Sequence, residues 1–98
     1  MKQTRTHITA LGFDFGMKRI GVAVGQTLTQ TAQPLTVLSA KDGIPTWSTI
    51  KQLINEWGAQ ALIVGLPYQL DGSDQMISFA AKKFARRLEQ RFQLPVHL

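Results

Sequence analysis

Asp14 closes an apolar run, Ile8–Phe13, that is broken only by Thr9 and Gly12. After it come Phe15-Gly16-Met17, the basic pair Lys18-Arg19 and a second apolar run, Ile20-Gly21-Val22-Ala23-Val24-Gly25. A carboxylate at the mouth of a strand, beside a glycine turn and two cations, suits a site that handles a metal ion and phosphate. Mg²⁺ is a hard cation and takes oxygen ligands. Phosphodiester hydrolysis often uses two such ions about 3.5–4 Å apart, one helping to generate the nucleophile and one stabilising the leaving oxygen. Two ions need more than one carboxylate. Asp14 is the strongest ligand candidate, and the competing reading is an aspartate that caps its own turn.

The other candidates lie further along. Asp71 and Asp74 flank Ser73 in the segment Gly65-Leu66-Pro67-Tyr68-Gln69-Leu70-Asp71-Gly72-Ser73-Asp74. Ser73 could touch a phosphate oxygen or a metal-bound water, but Asp71 or Ser73 could equally cap a following helix, and Asp74 would suit its first turn. Lys18 and Arg19 could contact a nucleic-acid backbone, and alternation along a strand argues against both facing the same way. Lys82, Lys83, Arg86, Arg87 and Arg91 cluster on the solvent side of a predicted helix. Like charges four apart repel, which is easier to understand if a polyanion visits, though a solvated face with a favourable C-terminal dipole explains them too. His7 and His97 are far apart in the chain and cysteine is absent, so neither a zinc spacing nor thiol chemistry is present. The glycine-rich start lacks the Gly-Lys-Ser/Thr ending of a phosphate-binding loop and also lacks the dinucleotide fingerprint.

The elements that must position these residues follow from periodicity and punctuation. Residues 7–14 read as a first strand, 15–17 as a tight turn with Gly16 available for a positive φ, and 18–25 as a second strand antiparallel to the first. Residues 26–33 read as a connection and Leu35–Leu38 as a third strand. A helix is predicted over Pro45–Trp57, with proline in the first turn, Ile50, Leu53, Ile54 and Trp57 on one face, and Gly58 as its stop. Ala61–Val64 reads as a covered strand parallel to the first. A second helix, roughly Asp74–Phe92, carries the stripe Ile77, Ala81, Phe84, Leu88 and Phe92. Leu94 and Val96 begin a last strand, within which the sequence ends. The order β-β-β-α-β-α-β predicts an α/β fold, a mixed sheet with helices packed against it. Asp14 and the 65–74 loop should then share one sheet edge. Trp47, Trp57, Phe84 and Phe92 read as core residues rather than base-stacking platforms.

Composition sets the bounds. Ninety-eight residues make one domain at most, with a thin core. At 44% hydrophobic and 17% charged the chain is ordinary globular material rather than disordered. No apolar run approaches the roughly 20 residues that span a bilayer, and no signal peptide is evident. Eleven Lys+Arg against six Asp+Glu give a net charge of +5. That balance fits either a solubilised surface or attraction to a polyanion.

Three separated motifs together resemble a known family. They are Gly12-Phe13-Asp14-Phe15-Gly16-Met17-Lys18-Arg19-Ile20-Gly21-Val22-Ala23-Val24, then Thr31-Ala32-Gln33-Pro34-Leu35, then Val64-Gly65-Leu66-Pro67 with Asp71-Gly72-Ser73. The chain resembles the YqgF family, also called RuvX, of ribonuclease H-like nucleases proposed to process the 5′ end of pre-16S rRNA. Older descriptions of the family speak of Holliday junction resolvases. The resemblance covers about residues 8–98. It implies a ribonuclease H-like mixed sheet, a cytoplasmic setting, Mg²⁺ (or Mn²⁺) as cofactor, and structured RNA or branched DNA as partner. Asp14 is similar to the family's first metal-binding catalytic aspartate. Lys18 and Arg19 match the basic pair after the first turn, and Ser73 matches a position usually held by threonine.

Departures limit what the resemblance carries. The family continues past the last strand with an Asp-Glu-Arg-Leu motif whose glutamate joins the metal site, and then a later aspartate. Neither occurs before Leu98, so we expect a single domain over 1–98, lacking the C-terminal part of the family's domain and inactive by itself. Gly25-Gln26 also replaces a Ser-Asp often found there. Besides a scaffold or partner-binding remnant, for which the sequence gives no dedicated signal, two other readings stay open at this point. One is a non-catalytic nucleic-acid-binding module in the same fold. The other is half of an actin-like phosphotransferase, against which the missing second phosphate loop and adenosine site count.

Overall fold

The structure, a computed structural model, describes residues 8–27, 30–65 and 75–98. Its strands are β1 (Thr9–Asp14), β2 (Arg19–Gln26), β3 (Thr31–Lys41), β4 (Ile44–Pro45), β5 (Ala61–Gly65) and β6 (Val96–His97), and its helices are α1 (Trp47–Trp57) and α2 (Gln75–Phe92). They form one mixed sheet in the order β4-β3-β2-β1-β5-β6. β1 pairs antiparallel with β2 and parallel with β5, as the sequence predicts. β2 pairs antiparallel with β3, and β6 runs parallel to β5. This is the predicted ribonuclease H-like order with one short strand added.

Alternation along the strands decides which face is covered. Leu11 and Phe13 of β1, Ile20, Val22 and Val24 of β2, and Leu62 and Val64 of β5 are buried. Ile50 of α1 and Ala81, Phe84 and Leu88 of α2 join them in one core cluster, so both helices lie on the same side of the sheet. Phe84 stands at its centre. Its ring meets Phe13 edge-on at 5.7 Å, Phe15 at 5.2 Å and Trp47 nearly parallel at 5.9 Å. The predicted stripe of α2 is therefore the core stripe, with Ile77 and Phe92 half-buried at its ends. Trp47 and Trp57 are half-buried at the core's edge.

Several local expectations need correction. The third strand is longer than Leu35–Leu38 and takes in Thr31, which by composition reads as part of a connection. β4 is an addition to the predicted elements, although Asp42-Gly43 is a strong two-residue hairpin signal. Both residues have positive φ, 53° and 80°. Gly43 also packs under an aromatic ring, since a Cβ there would sit 2.8 Å from the Phe15 ring. Pro45 is not in the helix but pairs with Ala40 in β4. Helix α1 starts at Trp47 with Thr46 as N-cap, which makes no side-chain capping bond. Its end is as predicted. Gly58 is left-handed at φ 61° and ψ 39°, and its N–H donates to the Ile54 carbonyl.

Gly16 is required for a different reason from the one expected. It does not take a positive φ. A Cβ at Gly16 would lie 2.5 Å from the Arg19 carbonyl oxygen, so close backbone approach excludes a side chain.

Candidate metal and nucleic-acid site

The carboxylate of Asp14 is presented by its neighbours. Phe13 and Phe15 are both buried against Phe84, so the backbone on each side of Asp14 is anchored to the covered face. Asp14 itself is exposed. It shares the opposite face with Gly12 and with its cross-strand partner Gly21. The Asp14–Arg19 connection is tied from the side by the β3–β4 hairpin. The Ala40 N–H donates to the Lys18 carbonyl and the Gly43 N–H donates to the Met17 carbonyl, each at 2.8 Å.

The uncovered face in front of Asp14 is a shallow concavity of about 470 Å³. Gly12, Gly21, Ala23, Thr36 and Ile63 line it with Asp14. Glycine at position 21 keeps the carboxylate accessible, because a longer side chain there would stand directly beside it. Gly65, the last residue of β5, pairs with Asp14, so the two parallel strands end together as the sequence predicts.

The structure separates the two basic candidates beside the turn. Ile20, Val22 and Val24 face the core, so Arg19 shares the uncovered face with Gly21 and Asp14. Lys18 is exposed in the connection before β2 and belongs to neither strand. Arg19 is therefore the cation that the strand register carries to the Asp14 side.

The cations of α2 are elsewhere. Their helix packs on the covered side of the sheet, so Lys82, Lys83, Arg86 and Arg87 lie behind the sheet as seen from Asp14. Lys82, Lys83 and Arg86 are exposed, whereas Arg87 is half-buried. Three of them border two separate hollows, and Lys83 borders neither. Lys82 and Arg86 line a hollow with Glu89, Val96 and Leu98. Arg87 lines another with Ile44, Trp47, Gln90 and Arg91. Ser73, Asp71 and Asp74 lie outside the described residues, as does His7.

A divalent cation fits the donor chemistry of Asp14 but is not completed by it. The carboxylate is the right kind of ligand for Mg²⁺ or Mn²⁺. Among the described residues, no group of three or more Asp, Glu, His or Cys side chains could hold a metal ion.

The sequence model of the family described as "RuvX: Holliday junction resolvase" matches residues 8–98. The chain belongs to the RuvX family. Two relatives of this RuvX chain carry the name "Putative pre-16S rRNA nuclease". The one from Coxiella burnetii (strain RSA 331 / Henzerling II) is 59% identical over 92 residues, which are 94% of this chain and 65% of the relative. The one from Legionella pneumophila subsp. pneumophila (strain Philadelphia 1) is 58% identical over 88 residues, 90% of this chain and 63% of the relative. The chain thus spans about 65% of the length of the curated relatives it matches. Among solved structures, that described as "T. thermophilus RuvC in complex with Holliday junction substrate" superposes with a TM-score of 0.59 at 15% identity. It covers 93% of this chain and 64% of that one. At that identity the likeness to RuvC is one of fold. Among the described residues, no helix is long and apolar enough to cross a membrane.

Proposed function

We propose that this RuvX chain carries part of a metal-dependent nuclease site, with Asp14 as one ligand of a catalytic Mg²⁺ or Mn²⁺ ion. The observation that carries this reading is the exposed carboxylate between two buried aromatic anchors, at the shared end of two parallel strands. A bound ion would polarise a phosphoryl oxygen and acidify a water there. Asp14 would hold the ion, Arg19 would attract the substrate backbone, and Gly21 would leave room for both.

The substrate in this reading is structured RNA in the cytoplasm, specifically the 5′ end of pre-16S rRNA. The names of the Coxiella and Legionella relatives support pre-16S rRNA as the substrate, and the 5′ end and the cytoplasmic setting follow from the family resemblance. The description of the family favours a second substrate, the branched DNA of a Holliday junction. The 98 residues form a single domain and bind nucleic acid without turnover, because Asp14 is the one carboxylate at the site among the described residues and a two-metal site needs more. The non-catalytic binding module is thus the state of the isolated chain rather than a separate function.

Paramagnetic broadening by Mn²⁺ tests the ligand role without needing activity. Amide signals of Asp14, Gly21 and Gly65 should broaden first, and Asp14→Asn should abolish the effect. Broadening centred elsewhere would refute the ligand assignment. Incubation with structured RNA and with a four-way junction, in Mg²⁺ or Mn²⁺, tests competence. Cleavage that disappears in Asp14→Asn would overturn the claim that the site is incomplete and would identify the substrate class.

A further inference from the structure

Trp47 contacts two residues of α2 with its ring, Phe84 and Arg91. Its ring lies nearly parallel to Phe84, at 19° and 5.9 Å. The Arg91 guanidinium carbon sits 4.5 Å from the Trp47 centroid. Phe84 is buried, so Trp47 leans on a side chain fixed in the core. A guanidinium over an indole is attracted by the ring's negative face, and a contact of that kind leaves N–H groups free to donate.

Arg87, one turn earlier on α2, borders the same hollow of about 410 Å³ as Trp47, Ile44, Gln90 and Arg91. Neither arginine forms an ion pair with a described carboxylate. Residues four apart on a helix are neighbours, so two positively charged side chains border one hollow without an ion pair to a described carboxylate. Helix α1 begins at this hollow with no acidic residue in its first turn, which leaves its positive end uncompensated as well. Capping the core would explain Arg91 alone. It would not explain a second, half-buried arginine at the same hollow.

We propose that Arg87 and Arg91 form a phosphate-binding fork on the helix side of the sheet, which engages the phosphodiester backbone of a nucleic acid. Two guanidinium groups match the oxygens of a phosphate bidentately. Trp47 pre-orients one of them, and Gln90 adds an amide donor. The fork lies on the opposite side of the sheet from Asp14, so it grips a part of the strand remote from the metal ligand. The nucleic-acid identity of the ligand rests on the nuclease reading, whereas the anion site does not.

Two measurements separate these claims. In a Trp57→Phe background, Trp47 is the sole tryptophan and reports directly on Arg91. Inorganic pyrophosphate should change Trp47 fluorescence saturably, and Arg87→Gln or Arg91→Gln should abolish the change. Binding of a structured RNA should weaken about tenfold at low salt in either variant. The slope of log K against log salt should become shallower by about 0.7–0.9 for each phosphate no longer neutralised. Lys51→Gln, an exposed lysine on α1, should alter neither. Thermal melts confirm that each variant is folded. Arg91→Lys adds a second check, because it keeps the charge and removes the flat fork, and it should restore RNA binding only in part.

If pyrophosphate is bound but RNA binding ignores both arginines, the nucleic-acid ligand is overturned and the anion site stands. If RNA binds with an unchanged slope and pyrophosphate has no effect, the fork is overturned and the nuclease reading is untouched.

Discussion

Asp14 and Gly21 face each other across the antiparallel β1–β2 pair, and a Cβ built on Gly21 would lie 3.6 Å from the Asp14 Cβ. That spacing is ordinary contact, so Gly21→Ala should fold and keep metal-dependent broadening at Asp14. Gly21→Val places branched methyl groups beside the carboxylate. It should weaken Mn²⁺ broadening at Asp14 while the amide spectrum of the core remains dispersed.

Asp14 is exposed, and its anchors are the flanking phenylalanines rather than its own side chain. Asp14→Asn should therefore change stability by no more than about 0.5 kcal/mol, measured by denaturant unfolding. A much larger destabilisation would mean that the aspartate is a structural turn residue, which is the competing reading of its sequence context.

Arg19 and Lys18 are neighbours in sequence but not on the sheet. Arg19→Gln should weaken RNA binding by about 1 kcal/mol, in the range of a single charged contact, and Lys18→Gln by clearly less. Equal effects of the two, read by titration at fixed salt, would contradict the placement of Arg19 on the Asp14 face.

Gly43 combines a φ of 80° with a Phe15 ring atom 2.8 Å from any added Cβ. Gly43→Ala should cost about 1–3 kcal/mol through backbone strain and displacement of the ring. Because the Gly43 N–H also holds the Met17 carbonyl at 2.8 Å, chemical shifts near Asp14 should move along with the drop in denaturation midpoint.

Phe84 touches Phe13, Phe15 and Trp47. Phe84→Ala should cost about 3–5 kcal/mol, a large share of the roughly 5–15 kcal/mol that stabilises a small domain. Phe84→Leu should be milder and remain folded. Calorimetry of the pair distinguishes loss of packing volume from loss of the aromatic stack, since the leucine retains much of the volume without the ring.

Local signals in the sequence were enough for several features. The apolar runs marked β1 and β2 as strands, and the spacing of Ala81, Phe84 and Leu88 marked the core stripe of α2. Gly58 ended α1 because a left-handed terminus favours glycine wherever the helix packs. Asp14 stood out from residue type and context alone. Asp42-Gly43 carries a hairpin signal that the expected helix start at Pro45 overrode, and only pairing with Ala40 decides between the two. Gly16 shows the same limit. A glycine in a turn suggests a positive φ, whereas the actual requirement comes from the Arg19 carbonyl three residues away.

What the sequence determined by itself was the residue chemistry and the period of each element, because both depend on near neighbours. Tertiary structure alone decided which of those residues share a side. Strand register carried Arg19, and not Lys18, to the face of Asp14. Packing of α2 onto the far side of the sheet moved its cations away from that carboxylate and set Lys82 and Arg86 at one hollow and Arg87 and Arg91 at another. It also brought Trp47 against both Phe84 and Arg91, joining residues 44 positions apart in the chain. No short-range pattern encodes such a contact, because it exists only once two helices have buried their apolar faces against the same sheet.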